Sequence, residues 1–189
     1  IAVQAKNPSL HWLVLLALAR LNLPSLSLPA TEGALGSLLK PDFLLTDRED
    51  ARPECKSFFL SPRWVQDALE SPRATLPEKP CSPDDPVLLT TSSGTTGTPK
   101  AILYKRKHVD SRLTYASLTL PIAETRALVN IGLDHSGGFI TPLLCWLTGG
   151  TVVYPAPNFQ WVDVRPTLSP GALACAPAQL EVLMRSLPS

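Results

Sequence analysis

The stretch from Thr91 to Lys100, TSSGTTGTPK, sets five hydroxyl side chains, Thr91, Ser92, Ser93, Thr95 and Thr96, around Gly94 and Gly97 before closing on Thr98, Pro99 and Lys100. Glycine lets the backbone take positive φ and come close to a ligand, so consecutive N–H groups can converge on one anion, while hydroxyls add donors that rotate to fit. Lys100 adds a full positive charge. Each donor to a charged oxygen contributes about 1.5–3 kcal/mol net, so several together hold and orient a polyphosphate. The spacing is not that of the Walker loop, because Thr98 and Pro99 separate the second glycine from the lysine, and a kinase-type GxGxxG is absent. Composition alone would also allow a plain Ser/Thr/Gly-rich hairpin loop. The order of the residues argues for the phosphate cradle.

Position by position, the string resembles the phosphate-binding signature of the adenylate-forming superfamily: acyl-CoA synthetases, luciferases and the adenylation domains of peptide synthetases. Leu89, two spacers, Ser92, Ser93, Gly94, Thr95, Thr96, Gly97, one free position, Pro99 and Lys100 fit that pattern without a mismatch. The resemblance implies that Ser92, Ser93, Gly94, Thr95, Thr96 and Gly97 wrap the β and γ phosphates of ATP, and that Lys100 is the catalytic cation that neutralises departing pyrophosphate. It implies ATP and Mg2+ as cofactors, the ion held partly by phosphate oxygens, with no metal cluster expected in the chain itself. It also implies coenzyme A or a phosphopantetheine carrier as the acceptor of the activated acid. A histidine often follows the signature lysine in that superfamily. Here Arg106 stands at about that place and His108 comes later, so His108 is given no role.

Farther on, LDHSGGF from Leu133 to Phe139 resembles the HxGG segment of acyl-CoA synthetases, where the histidine lies by the carboxylate substrate. His135 and Gly137 are the substrate-binding residues this implies. A second alignment is available, because Leu133, Asp134, His135 and Ser136 partly echo the F-D-x-S segment of peptide-synthetase adenylation domains. Asp134 would then imply an amino acid substrate, but the glycine pair favours the acyl reading.

These residues need a frame, and the chain spells one of alternating strands and helices. Ile1 to Gln4 reads as a short buried strand. Asn7 followed by Pro8 starts a helix, with asparagine as N-cap and proline at the first helical position, running to about Leu21. Ser25 to Leu28, Asp42 to Thr46 and Ser57 to Leu60 read as strands, Thr31 to about Leu39 and Pro62 to Leu69 as helices. Val87 to Thr91 and Lys100 to Lys105 form a hairpin flanking the phosphate loop. The basic run Lys105, Arg106, Lys107 and His108 is expected to be a solvated helix start, with a helix over Asp110 to Leu120. Arg126 to Ile131, Thr151 to Tyr154 and Gly171 to Cys175 read as strands, Ile140 to Leu147 and Pro177 to Arg185 as helices, and Trp161 to Arg165 as irregular. The fold class is α/β, with mixed sheets flanked by helices. By the resemblance it is the N-terminal part of the large domain of an adenylate-forming enzyme, residues 1–189 being a partial AMP-binding domain. Within it, 1–70 is a first α/β unit, 71–86 a Pro-rich connector (SPRATLPEKPCSPDDP) and 87–189 the phosphate-loop unit.

The 189 residues carry a formal charge of +1, with 44% apolar and 17% charged residues. That balance supports a real core and gives no reason to expect disorder or nucleic-acid binding. Cys55, Cys81, Cys145 and Cys175 are widely spaced without a CxxC pair, so free thiols in a reducing, cytoplasmic setting are expected rather than zinc or disulfides. The apolar run LHWLVLLALA is too short to span a bilayer and lacks a basic leader. The chain begins at Ile1 without methionine, which reads as a processed product, an excised piece or an incomplete record.

The functional expectation is ATP-dependent activation of a small carboxylic acid to an acyl adenylate, with onward transfer to the thiol of CoA or of an acyl or peptidyl carrier protein, as part of a longer ligase. Later superfamily motifs, for adenine, ribose and the C-terminal lysine, have no counterpart here, so this chain alone is expected to be inactive or nearly so. The alternatives are a truncated or degenerate module that binds a nucleotide or a protein without chemistry, and an interaction module using Lys105 to His108.

Overall fold

The computed structural model describes residues 1–29, 39–49, 55–72, 80–92, 100–155 and 169–186. The expected helix from Thr31, the 73–79 part of the connector, the loop from Ser93 to Pro99 and the irregular stretch from Trp161 to Arg165 lie outside the described residues. Two compact units emerge, Ile1–Lys107 and His108–Ser189.

The first unit is built on a six-stranded sheet in the order β4-β3-β1-β2-β5-β6. Its strands are β1 (Ala2–Gln4), β2 (Ser25–Ser27), β3 (Phe43–Thr46), β4 (Lys56–Phe59), β5 (Pro86–Ser92) and β6 (Lys100–Lys105). The first five pair parallel and β6 pairs antiparallel to β5. Parallel strands need crossovers and cover on both faces, which is why β1 is buried at every position. Ala2, Leu26, Leu28 and Leu44 form its core, with Leu39, Cys55 and Leu89 packed against them.

Helix α1 (Pro8–Arg20) carries the first crossover. Asn7 Oδ1 accepts from the Ser9 and Leu10 amides at 2.9 and 3.2 Å, satisfying two of the donors a helix start leaves open. His11, Trp12, Val14, Leu15 and Leu18 share the buried face. On that face His11 Nε2 and Ser27 Oγ share a 2.8 Å hydrogen bond, so helix and strand are joined by a satisfied polar pair as well as apolar contact. The helix stops where Asn22 turns left-handed at φ 53°, its amide bonding Ala19 O and that of Leu23 bonding Leu18 O. Helix α2 (Pro62–Glu70), capped by Ser61 Oγ accepting from the Trp64 amide, buries no residue.

The second unit holds a parallel sheet in the order β8-β7-β9, with β7 (Arg126–Asn130), β8 (Thr151–Val153) and β9 (Ala172–Cys175). Its helices are α3 (Arg106–Thr119, whose first two residues belong to the first unit), α4 (Ser136–Leu147) and α5 (Pro177–Ser186). Ala116, Ile122, Ala127, Val129, Leu144 and Cys145 make the core. Helix α4 ends on Gly149 at φ 79°, with the Gly149 and Gly150 amides bonding Trp146 O and Cys145 O.

Two helices start earlier than the sequence reading places them. Helix α3 begins at Arg106 rather than about Asp110, because the Arg106 and Lys107 amides find carbonyl partners on Asp85 and Pro83, each at 2.9 Å. Helix α4 begins at Ser136 rather than Ile140, because the glycine pair lets its first turn lie on the preceding loop. Among the described residues no helix is long and apolar enough to cross a membrane.

Candidate functional site

Strand β5 runs inside the first sheet, with Leu88 and Thr90 buried. Among the described residues β6 lies at the margin, paired on one side only. The pairing runs from Leu88 with Tyr104 to Ser92 with Lys100, the last Cα partners before the chain enters Ser93 to Pro99. Ser92 and Lys100, two of the expected phosphate ligands, are therefore brought side by side at the loop end of the hairpin, with the Lys100 side chain exposed. Ser93, Gly94, Thr95, Thr96 and Gly97 lie outside the described residues.

At the opposite end of the hairpin, the turn Ser82 to Asp85 leads into β5. Lys105 Nζ and Lys107 Nζ reach the same Asp84 Oδ1, at 3.0 and 2.7 Å. These contacts, first Lys107 and then Lys105, hold the Asp84 carboxyl down at about 2. Asp85 Oδ2 accepts from the Ser82 amide and from Asn22 Nδ2, each at 2.7 Å, which places its carboxyl below the usual range. The basic run expected to be a solvated helix start is thus partly answered by an internal carboxylate. Sequence reading missed Asp84 and Asp85, whose only local signal was the turn-forming SPDDP.

The second candidate constellation lies between β7 and α4. His135 stands as N-cap of α4 in extended backbone without a side-chain capping bond, while its amide donates to Gly132 O at 3.1 Å. Its Nε2 lies 3.6 Å from Asp134 Oδ2, with the imidazole 57% and the carboxylate 17% exposed. Arg112 Nη1 donates to Ser136 Oγ at 3.4 Å. The glycines here differ in kind. A Cβ on Gly138 would lie 2.1 Å from Gly132 O, so only glycine lets α4 approach that carbonyl. A Cβ on Gly137 would meet nothing nearer than Ile131 Cδ1 at 3.4 Å, an ordinary contact. Gly138 is therefore explained by packing, whereas at Gly137 the described residues would accept a Cβ without strain.

The four cysteines are free thiols, and burial pushes the Cys145 thiol up, away from nucleophilic reactivity. Among the described residues no group of three or more His, Cys, Asp or Glu is gathered to hold a metal.

The chain matches solved structures of similar architecture. The N-terminal domain of FACL13 from Mycobacterium tuberculosis superposes with a TM-score of 0.79 at 20% identity, covering 99% of this chain and 52% of that one. The o-succinylbenzoate CoA synthetase MenE from Bacillus subtilis, in complex with its acyl-adenylate intermediate, gives 0.78 at 20% identity over 98% of this chain and 51% of the other. By sequence, 4-coumarate–CoA ligase 2 from Oryza sativa subsp. japonica is 33% identical over 121 residues, which is 60% of this chain and 20% of the ligase. Sulfoacetate–CoA ligase from Cupriavidus necator is 36% identical over 110 residues, 50% of this chain and 22% of the ligase. The matches thus span about a fifth of those ligases and about half of the solved chains. The family model for AMP-binding enzymes matches residues 32–189, which includes the hairpin, its loop and the whole second unit, and on that match the chain belongs to the AMP-binding enzyme family.

Proposed function

We propose that this chain is the N-terminal part of a longer ligase that activates a small carboxylic acid with ATP and passes the acyl group to a thiol. The observation that carries the reading is the unbroken signature from Leu89 to Lys100 within a chain of the AMP-binding family. In the adenylation step a carboxylate oxygen attacks the α-phosphorus, forming a C–O–P linkage as the bond to the β-phosphate oxygen breaks and pyrophosphate departs. Backbone amides and hydroxyls from Ser92 to Gly97 hold the β and γ phosphates. Lys100, at the first position of β6, places its cation where the leaving group gathers charge. Magnesium would supply further charge neutralisation there. The donors this chain offers are hydroxyl and carbonyl oxygens, the hard type that ion takes, and it usually rides on substrate phosphates with few protein ligands. His135 and Gly137 line the place of the acid, the imidazole orienting the carboxylate and the bare Gly137 leaving it space. The acceptor is CoA or the phosphopantetheine arm of a carrier protein.

Carboxylate-dependent ATP–pyrophosphate exchange on the full-length protein, run over a panel of aryl and short aliphatic acids, is the direct test. Exchange with at least one acid is expected, and Lys100→Ala lowers its kcat/KM about ten- to a hundredfold, the worth of one or two charge-assisted contacts. Unchanged ATP affinity together with an unchanged rate would remove Lys100 from the site.

A further inference from the structure

Strand β6 is poorly specified by its own side chains. Along KAILYK, Ile102 and Leu103 are 39% and 46% exposed, on opposite faces, and Tyr104 alone is buried. A strand with one buried side chain has little to oppose a shift by one residue, and such a shift turns every side chain to the other face. Among the described residues β6 also has a neighbour on one side only, so no second strand there holds its register. For Lys100 that shift is the difference between aiming its ammonium at one side of the hairpin and aiming it at the other.

The pairing with β5 changes phase at its base. Pro86 partners Lys105 and Leu88 partners Tyr104, which leaves Val87 as an extra residue, a bulge on β5. Ser25 Oγ on β2 donates to the Val87 carbonyl at 3.3 Å, and further contacts at this base come from the turn just before it. Asp84 takes both Lys105 and Lys107, at 3.0 and 2.7 Å, one on each side of the junction between β6 and α3. The Asp85 carbonyl receives the Arg106 amide and the Pro83 carbonyl the Lys107 amide, each at 2.9 Å. The Asp85 carboxylate is itself fixed by Ser82 and by Asn22, the left-handed residue that ends α1. The turn is thereby tied to a helix end on one side and to the end of β6 on the other.

We infer that the Ser82–Asp85 turn is the register clamp of the hairpin, with Asp84 and Asp85 as positioning residues that fix, from the far end of β6, the face on which Lys100 is presented. The inference rests on the reading of Lys100 as a phosphate ligand. It also accounts for the basic run Lys105 to Lys107, which serves the hairpin from within.

The test uses the full-length protein with Asp84→Ala, Asp84→Glu and Asp85→Ala, and reads amide hydrogen exchange in β6 and in β7 together with the KM for ATP and kcat. Both alanine variants are expected to speed exchange in β6 about five- to tenfold while β7 keeps its protection, and to raise the KM for ATP more than they lower kcat. Asp84→Glu keeps the charge and restores most of both. Unchanged protection in β6, or equal losses in β6 and β7, would overturn the clamp, the second because it reports general loosening. Faster exchange in β6 with an unaltered KM for ATP overturns the positioning role and leaves a purely structural tie. If the unaltered protein shows no ATP–pyrophosphate exchange with any acid, the ligase reading fails, while exchange in β6 still decides whether the clamp exists.

Discussion

Replacing Gly138 by alanine tests how α4 is seated. The new methyl would lie 2.1 Å from Gly132 O, 2.7 Å from Gly132 C and 2.8 Å from Ile131 O, all backbone atoms that cannot rotate away. Ordinary contact begins near 3.4 Å, so loop and helix must part by more than 1 Å. Overpacking of a close-packed site costs about 1–3 kcal/mol, and backbone on both sides puts this case at the upper end. Alanine returns up to about 1 kcal/mol as a better helix former. The net loss is about 2 kcal/mol, which at a urea slope of about 2 kcal/mol per molar moves the unfolding midpoint down by about 1 M. Gly137→Ala is the internal control: its methyl meets only Ile131 Cδ1 at 3.4 Å, so its midpoint stays level or rises slightly. Urea titration followed by tryptophan fluorescence suits the comparison, because Trp146 lies in α4 itself. Equal midpoints for Gly138→Ala and the unaltered protein would refute the close approach of α4 to Gly132. A Gly137→Ala variant that unfolds as readily as Gly138→Ala would refute the ordinary contact expected at Gly137.

Acid stability follows from the two lowered carboxyls. Their folded values lie below the ordinary one of 3.8, so their contribution is present above that pH and is lost as pH falls below it, for Asp84 down to about 2. Denaturation followed from pH 5 to pH 2 should show a slope that flattens in Asp84→Asn, and an identical slope would remove Asp84 from the account. His135→Ala should raise the KM for the acid several-fold with little change in the KM for ATP or in stability, because the imidazole is half in solvent and caps nothing. Steady-state kinetics with the acid varied at saturating ATP checks this, and an unaltered KM for the acid withdraws His135 from the pocket.

Local features were legible in the sequence where their causes are local. Asn7 and Pro8 spell a helix start that the structure places at those residues, and the buried positions from His11 to Leu18 follow the helical repeat. The two apolar runs around the Ser/Thr/Gly stretch are the antiparallel strands β5 and β6. The strand order was not legible, since parallel neighbours such as Ala2 with Leu44 are brought together across a long stretch of chain that includes α1 and β2, and no short pattern encodes the choice. The starts of α3 and α4 were misjudged for the same reason. Arg106 and Lys107 depend on carbonyls of Pro83 and Asp85, and Gly138 on the carbonyl of Gly132, partners that local propensity does not reveal. Of the candidate site, residue order led to the expectation that Ser92 to Lys100 grip an anion, and the structure describes Ser92 and Lys100 at the two ends of that stretch. The Asp84 tie could not be read in advance, because Asp84 meets Lys105 and Lys107 only after the hairpin has folded back.

The margins of the six-stranded sheet bear on solubility as well as on chemistry. β4 and β6 each offer half-exposed apolar side chains, Phe58 and Phe59 on one and Ile102 and Leu103 on the other, beside backbone groups with a neighbour strand on one side only. Such margins invite a second molecule to add its own strand. Lysines stand at their tips, Lys56 on β4 and Lys100 on β6, and like charges there repel an approaching copy. Lys100 thus guards the chain against self-association, and preparations kept at high salt, where that repulsion is screened, are where clumping through these margins will begin.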